Sequence, residues 1–253
     1  KLVAPWRKNM PNINNRKTGL GQEITFDNTD NLAKELSDRI AKKLSTAIES
    51  KGKASLLVSG GSTPALLFEK LCQQDIDWKK VWISLVDERW VIASHEASNE
   101  RLVRSHLLQS KAAAANFIPM VNYAYTAEAG AKVCSEMLSQ IPEPFDMVLL
   151  GMGNDGHTAS LFPCSEELGL GLDLNSKLRC LAVNPKTAPH ARMSYTLPAL
   201  LNSQQIILML TGKAKWQVYQ EAGSDDSKDA EKQMPIRAFL NQSNTKLDVY
   251  WAS

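Results

Sequence analysis

Between Asp146 and Pro163 the chain reads D-M-V-L-L-G-M-G-N-D-G-H-T-A-S-L-F-P, and no other stretch narrows the possible folds so far. Met147 to Leu150 make an apolar run of strand length that empties into Gly151, Gly153 and Gly156. Glycines in that position permit the unusual dihedrals and the close backbone approach that a ligand cradle needs. Asp155 and His157 stand two residues apart on the cradle. A carboxylate so close to an imidazole can orient the ring and fix its tautomer, as general-base chemistry near neutral pH requires.

Two other readings compete for the same residues. Gly151 to Gly156 satisfies the spacing G-x-G-x-x-G and follows a strand, as a dinucleotide fingerprint does. That fingerprint also needs a substantial helix after its third glycine and a second strand ending in an acid. Here Pro163 cuts the helix short and Asp173 falls in a glycine-rich loop, so the dinucleotide reading fails. A plain tight turn with His157 on the surface fits the glycines and aspartate as well.

Upstream, Leu32, Ala33, Leu36, Ile40, Leu44, Ala47 and Ile48 recur at helical steps behind a cap at Asp30, and predict one long amphipathic helix. Ala54 to Ser59 follows as a buried strand running into Gly60-Gly61-Ser62-Thr63-Pro64. Ser62 or Thr63 can cap a helix beginning near Ala65, whose positive dipole end then faces a loop with freed amides, a favourable setting for phosphate. An ordinary capped strand-to-helix turn is the bland alternative. Trp78 to Val86 reads as the next strand, ending in Asp87-Glu88-Arg89-Trp90, and Ser98-Asn99-Glu100 caps a helix to about Leu108.

Further helices are expected over Ala127 to Ile141, Lys213 to Glu221 and Pro235 to Asn241, with strands at Leu178 to Val183, Ile206 to Leu210 and Leu247 to Trp251. Pro185 to Arg192 reads as a loop, and so does Gly223 to Lys228. Strands alternating with helices, without hairpin signals, predict an α/β fold. We expect a single domain over residues 22–253, with a mostly parallel Rossmann-like sheet covered by helices on both faces. Residues 1–21, rich in Asn, Lys, Arg and Pro, form an N-terminal extension expected to lie outside the core.

Composition excludes several function classes. A formal charge of +2, with no basic run interleaved with aromatics, argues against nucleic acid as a partner. No apolar run approaches a membrane span. Cys72, Cys134, Cys164 and Cys180 are scattered, without a C-x-x-C pair or a histidine at metal-ligand spacing, so reduced thiols in a cytoplasmic protein are expected and no metal site is.

Three separated motifs, in order, give a resemblance to the 6-phosphogluconolactonase family. They are Ser59-Gly60-Gly61-Ser62-Thr63-Pro64, then Val86-Asp87-Glu88-Arg89-Trp90-Val91 with Ser98-Asn99, then Leu149 to Pro163. Pro189 to Met193 with Thr196-Leu197-Pro198 resembles a fourth, looser segment. Glucosamine-6-phosphate deaminases of the same superfamily share the glycine loop and the D-G-H core. They usually carry Asp-Glu-Tyr in place of Asp87-Glu88-Arg89, and Asn-Glu-Pro in place of Ser160 to Pro163.

The resemblance implies hydrolysis of 6-phospho-D-glucono-1,5-lactone without metal or organic cofactor, by a monomer or small homo-oligomer. It implies catalytic roles for His157, Asp155 and Arg89. Substrate or phosphate contacts are implied for Ser59, Gly60, Gly61, Ser62, Thr63, Asp87, Glu88, Asn99, Gly151, Gly153, Gly156, Lys186 and Arg192. A sugar-phosphate isomerase or deaminase and a non-catalytic sugar-phosphate sensor are the alternatives. His95 and His106 read as ordinary surface residues, and His190 as one bordering the site.

Overall fold

In the computed structural model, which describes residues 11–16, 19–223 and 233–253, the apolar run at the heart of the sequence is a strand, β7 (Met147–Leu150), buried at every position. Continuous burial suits a parallel sheet with both faces covered. β7 pairs in parallel with β3 (Ala54–Val58) on one side and β10 (Ile206–Thr211) on the other. Beyond β3 lie β4 (Val81–Leu85) and β6 (Asn116–Phe117), a short edge strand not anticipated from the sequence. Beyond β10 lie β11 (Leu247–Ala252) and β2 (Gln22–Phe26), also parallel. β1 (Asn12–Asn15) closes that edge as the sheet's antiparallel member.

The order β1-β2-β11-β10-β7-β3-β4-β6 places a ligand crevice. After β3 the chain moves outward through β4 and β6, then returns to the centre for β7 and moves the other way through β10 and β11. The loops leaving the carboxyl ends of β3 and β7 therefore diverge, which is where open α/β sheets bind ligands.

Helix α1 (Thr29–Lys51) covers the sheet with the expected stripe from Leu32 to Ala47. Its cap is Asn28, whose side chain accepts from the Asn31 N–H at 2.9 Å. Asp30 lies inside the first turn, paired with Lys70 at 2.8 Å. In α2 (Ala65–Leu71) the capping position is Pro64, with no side-chain cap, so neither Ser62 nor Thr63 is spent on the helix end as the sequence suggested. Ser98 does cap α3 (Asn99–His106), accepting from the Arg101 N–H at 3.1 Å. Thr126 caps α4 (Ala127–Leu138) in the same way. The rejection of a dinucleotide fold holds: after Gly156 comes only a tight bridge between Thr158 and Leu161. The glycine-rich segment beyond it winds into a short helix, α5 (Leu168–Leu172).

A second, three-stranded sheet was hidden in the sequence. β5 (Asp87–Arg89) pairs antiparallel with β9 (Arg192–Tyr195), and β9 with β8 (Cys180–Val183). The eight residues between β8 and β9 conceal the hairpin, and R-M-S-Y is a short run with two polar residues that are buried along with the other two. Arg192, expected to end a loop, begins a strand. A helix, α6 (Leu197–Leu201), follows.

The expectation that residues 1–21 lie outside the core also needs correction. Asn12–Asn15 extend the sheet with exposed side chains, but Arg16 is buried, donating to the Leu247 carbonyl at 2.9 Å and to the Leu240 carbonyl. Leu240 ends a helix and Leu247 opens β11, and Arg16 supplies a donor to both buried carbonyls. Residues 1–10 and 17–18, and the rest of the predicted surface loop at 224–228, lie outside the described residues.

Candidate active site

A cavity of about 400 Å³ opens at the carboxyl ends of β3 and β7, with the second sheet as its far wall. Twelve of the sequence-predicted residues line it: Ser59, Gly60, Gly61, Ser62, Thr63, Asp87, Arg89, Asn99, Gly151, Gly153, His157 and Arg192. Four others lie off its surface, each for its own reason.

Asp155 stands behind His157. Its Oδ1 is 2.6 Å from His157 Nδ1 and also accepts the His157 N–H at 3.2 Å. Burial pushes the Asp155 carboxyl up, but its hydrogen bonds with His157 and the charge of that ring outweigh burial and hold it below the usual carboxylate range. An ionised Asp155 takes the Nδ1 proton as its donor, which leaves Nε2 as the basic nitrogen. The imidazole stacks on Phe162 with ring centroids 4.1 Å apart, so its plane is set from a second direction. Gly153 makes room for this pair: a Cβ there would lie 2.1 Å from His157 Nδ1 and 2.5 Å from Asp155 Oδ1.

Gly156 turns the outside of the same loop, and its carbonyl accepts the Ile236 N–H at 2.9 Å. It shapes the cradle rather than lining it.

Glu88 lies under the cavity, 1% exposed. Its Oε1 accepts from the N–H groups of Arg89 (2.7 Å) and Asn99 (2.8 Å), and its Oε2 from the Glu100 N–H (2.7 Å) and the Ser98 hydroxyl (3.0 Å). It therefore binds the N-terminus of α3 to β5, where four donors and the helix dipole favour a carboxylate. Burial pushes its carboxyl up to about 7 against the pull of those bonds. Asn99, so anchored, donates from Nδ2 to the Asp87 carbonyl at 2.9 Å and lies so close to Gly60 that a Cβ there would meet its Oδ1 at 1.9 Å.

Lys186 does not join the site. It is exposed and pairs with Glu166 at 3.1 Å. The basic group that sequence reasoning missed is Lys215, in α7 (Lys213–Ala222), which lines the cavity and donates to the Met152 carbonyl. Burial pushes its ammonium below the usual lysine value, partly offset by Asp155. A lysine in the first turn after β10 was the available signal, since that strand's carboxyl end opens on the same crevice. Ser160 was also missed; its hydroxyl donates to Asp87 Oδ2 at 2.5 Å and fixes that carboxylate in the wall.

The wall itself is cationic. Arg89 donates from Nη1 to the Ala97 carbonyl at 2.5 Å, and Arg192 from Nη2 to the Pro189 carbonyl at 3.1 Å, with its guanidinium carbon 5.7 Å from the Phe162 ring centre. The cavity thus carries two guanidinium groups, a loop of glycines and hydroxyls, and an oriented imidazole, with Phe162 in contact with both His157 and Arg192. Such an arrangement binds an anion and places a base beside it. Among the described residues no three His, Cys, Asp or Glu side chains converge as a metal site, and no helix is long and apolar enough to cross a membrane.

Comparison with known proteins is consistent over nearly the whole chain. Residues 27–251 match the family model described as glucosamine-6-phosphate isomerases/6-phosphogluconolactonase. The chain is 39% identical over 227 residues to the 6-phosphogluconolactonase of Rhizobium meliloti (strain 1021), covering 90% of this chain and 97% of that one. It is 42% identical over 222 residues to that of Pseudomonas putida, covering 87% and 88%. Among solved structures, a 6-phosphogluconolactonase from Shewanella baltica OS155 superposes with a TM-score of 0.89 at 49% identity, covering 94% of this chain and 99% of the other.

Proposed function

The chain belongs to the glucosamine-6-phosphate isomerase/6-phosphogluconolactonase family, and from that premise we propose how its cavity performs the lactonase reaction. The protein is a hydrolase that opens 6-phospho-D-glucono-1,5-lactone to 6-phospho-D-gluconate in the oxidative pentose phosphate pathway.

His157 acts as the general base. Its Nε2 takes a proton from water as the water oxygen bonds to the lactone carbonyl carbon. The carbonyl oxygen becomes an oxyanion, and Arg89 stabilises it with a fixed charge already in place. Collapse re-forms the carbonyl and breaks the ring C–O bond, and the departing oxygen takes the proton back from His157. Asp155 holds the imidazole and balances its charge while it is protonated.

The phosphate sits against the amides and hydroxyls from Ser59 to Thr63, with Arg192 and Lys215 supplying charge. Gly60 is needed there because only a residue without Cβ fits against Asn99. Glu88 and Gly156 support the site from behind, and Lys186 has no role in it. A monomer or small homo-oligomer completes the reading, and its four free thiols suit the reducing cytoplasm.

The Asp155–His157 pair in a cavity lined by two arginines carries this conclusion. A rapid lactonase assay, read above spontaneous ring opening, tests it beside an assay for ammonia release from glucosamine 6-phosphate. Ring opening without ammonia release is expected; ammonia release as the main activity would move the protein to the deaminase branch.

A further inference from the structure

Arg89 and Arg192 are each aimed by a backbone carbonyl from a separate loop. The first loop, residues 90–98, offers the Ala97 carbonyl to Arg89, and the second, residues 184–191, offers the Pro189 carbonyl to Arg192. The two loops meet at their strand ends, where the Trp90 N–H donates to the Ala191 carbonyl at 2.8 Å, and further out through a pair of imidazoles. His95 and His190 stand edge to face, with ring centroids 5.3 Å apart and planes at 78°. His95 makes a second contact, its Nδ1 accepting the Ala97 N–H at 3.0 Å. Ala97 is thus fixed by its N–H to His95 while its carbonyl fixes Arg89. His190 adjoins Pro189 and has a left-handed backbone (φ 68°), a conformation uncommon outside glycine.

We propose that His95 and His190 are positioning residues, clamping the two loops together so that Arg89 and Arg192 point into the cavity as one unit. Neither ring lines the cavity, so each acts through its loop. His95 acts through Ala97 on the arginine assigned to the oxyanion. His190 acts through Pro189 on the arginine assigned to the phosphate. The inference rests on the reading of those arginines given above, and its consequences divide between kcat and KM.

Three variants separate the contacts. His95→Asn keeps an acceptor for the N–H two residues on, as asparagine does in turns, but removes the ring. His95→Phe keeps the ring and removes the acceptor. His190→Asn removes the other ring and tolerates the left-handed backbone. For each, kcat and KM are measured with the phospholactone, the Kd of 6-phosphogluconate by calorimetry, and folding by thermal melting. His95→Phe is expected to lower kcat by roughly tenfold, the scale of one misaimed charge-assisted hydrogen bond, with little change in product Kd. His190→Asn is expected to raise KM and product Kd severalfold with kcat nearly intact. His95→Asn should recover kcat relative to His95→Phe and share the KM rise of His190→Asn, and the double Asn variant should be no worse than either single one.

Equal kinetics for His95→Asn and His95→Phe, additive effects in the double variant, or loss of thermal stability with unchanged kinetics would each overturn the clamp. Arg89→Ala and Arg192→Ala serve as controls. If they leave kcat and Kd unchanged, the assignment of the arginines fails; if they act and the histidine variants do not, the clamp alone fails.

Discussion

Arg89 and Arg192 stand directly opposite one another in the β5–β9 pairing. Like charges in that relationship destabilise a sheet. Burial pushes its guanidinium below the usual arginine range, the nearness of Arg89 pushes it further, and Asp87 and Glu88 oppose both. Among the described residues neither Nε has a hydrogen-bond partner. Anionic oxygens of the substrate at the two guanidinium groups would satisfy them and relieve the repulsion.

Arg192→Met removes the repulsion and the arginine assigned to the phosphate. Its melting temperature without ligand is expected to equal or exceed that of the wild type, while its affinity for 6-phosphogluconate falls about tenfold or more, the value of a charged hydrogen bond. Thermal melting with and without the product measures both. A variant that melts much lower yet keeps the ligand-induced shift would make the pair a structural device.

The features legible in the sequence were those in which a strand ends abruptly in chemistry. Ser59 to Thr63, Asp87 to Arg89 and Gly151 to His157 each follow an apolar run, and the parallel sheet brings those three ends together. Roles that depend on distant neighbours were not legible. β9 is held between β8 and β5, and β5 lies over a hundred residues earlier. Lys186 lies near Arg192 in the chain, yet its side chain turns outward to Glu166, while Lys215 arrives from another strand altogether. Glu88 carries a charge in a site motif, and only its four donors reveal that it faces the helix behind.

Lys215 and Lys186 give a contrast in one experiment. Lys215→Ala should raise KM for the phospholactone by roughly tenfold, because a half-buried ammonium loses less to water than an exposed one when it binds phosphate. Lys186→Ala should leave KM and kcat near wild type, since an exposed ion pair of this kind contributes little. Steady-state kinetics of both decide. A KM effect confined to Lys186→Ala would place the phosphate at the β8–β9 loop.

Glu88 predicts a slope of stability with pH. Burial raises its carboxyl from 4.5 to about 7 in the folded protein. Between those values the native state holds a proton that the unfolded chain has released, so this group's contribution makes the protein less stable as pH rises from about 4.5 to about 7. Glu88→Gln cannot titrate and should flatten that part of the curve. It should also lower stability overall, because one amide oxygen cannot serve four donors. Urea unfolding at intervals across this window checks the difference between the two proteins; parallel curves would mean that Glu88 is ionised throughout, held by its donors.

Gly153 and His157 supply the most discriminating test, because one residue is the proposed base and the other only leaves space for it. His157→Ala should lose kcat by roughly a hundredfold or more, as removal of a general base does, while 6-phosphogluconate still binds through the phosphate loop. Gly153→Ala places a methyl group where Nδ1 of the ring and Oδ1 of Asp155 now lie, at 2.1 and 2.5 Å. The imidazole must leave Asp155, so kcat should fall on a similar scale although no reacting group has been removed. Since both changes disable the same unit, the double variant should be hardly slower than His157→Ala alone. Single-turnover kinetics with product-binding controls read all three. Multiplicative losses in the double variant would show that Gly153 serves substrate binding independently, and a Gly153→Ala protein of normal kcat would mean that the Asp155–His157 contact is dispensable for turnover.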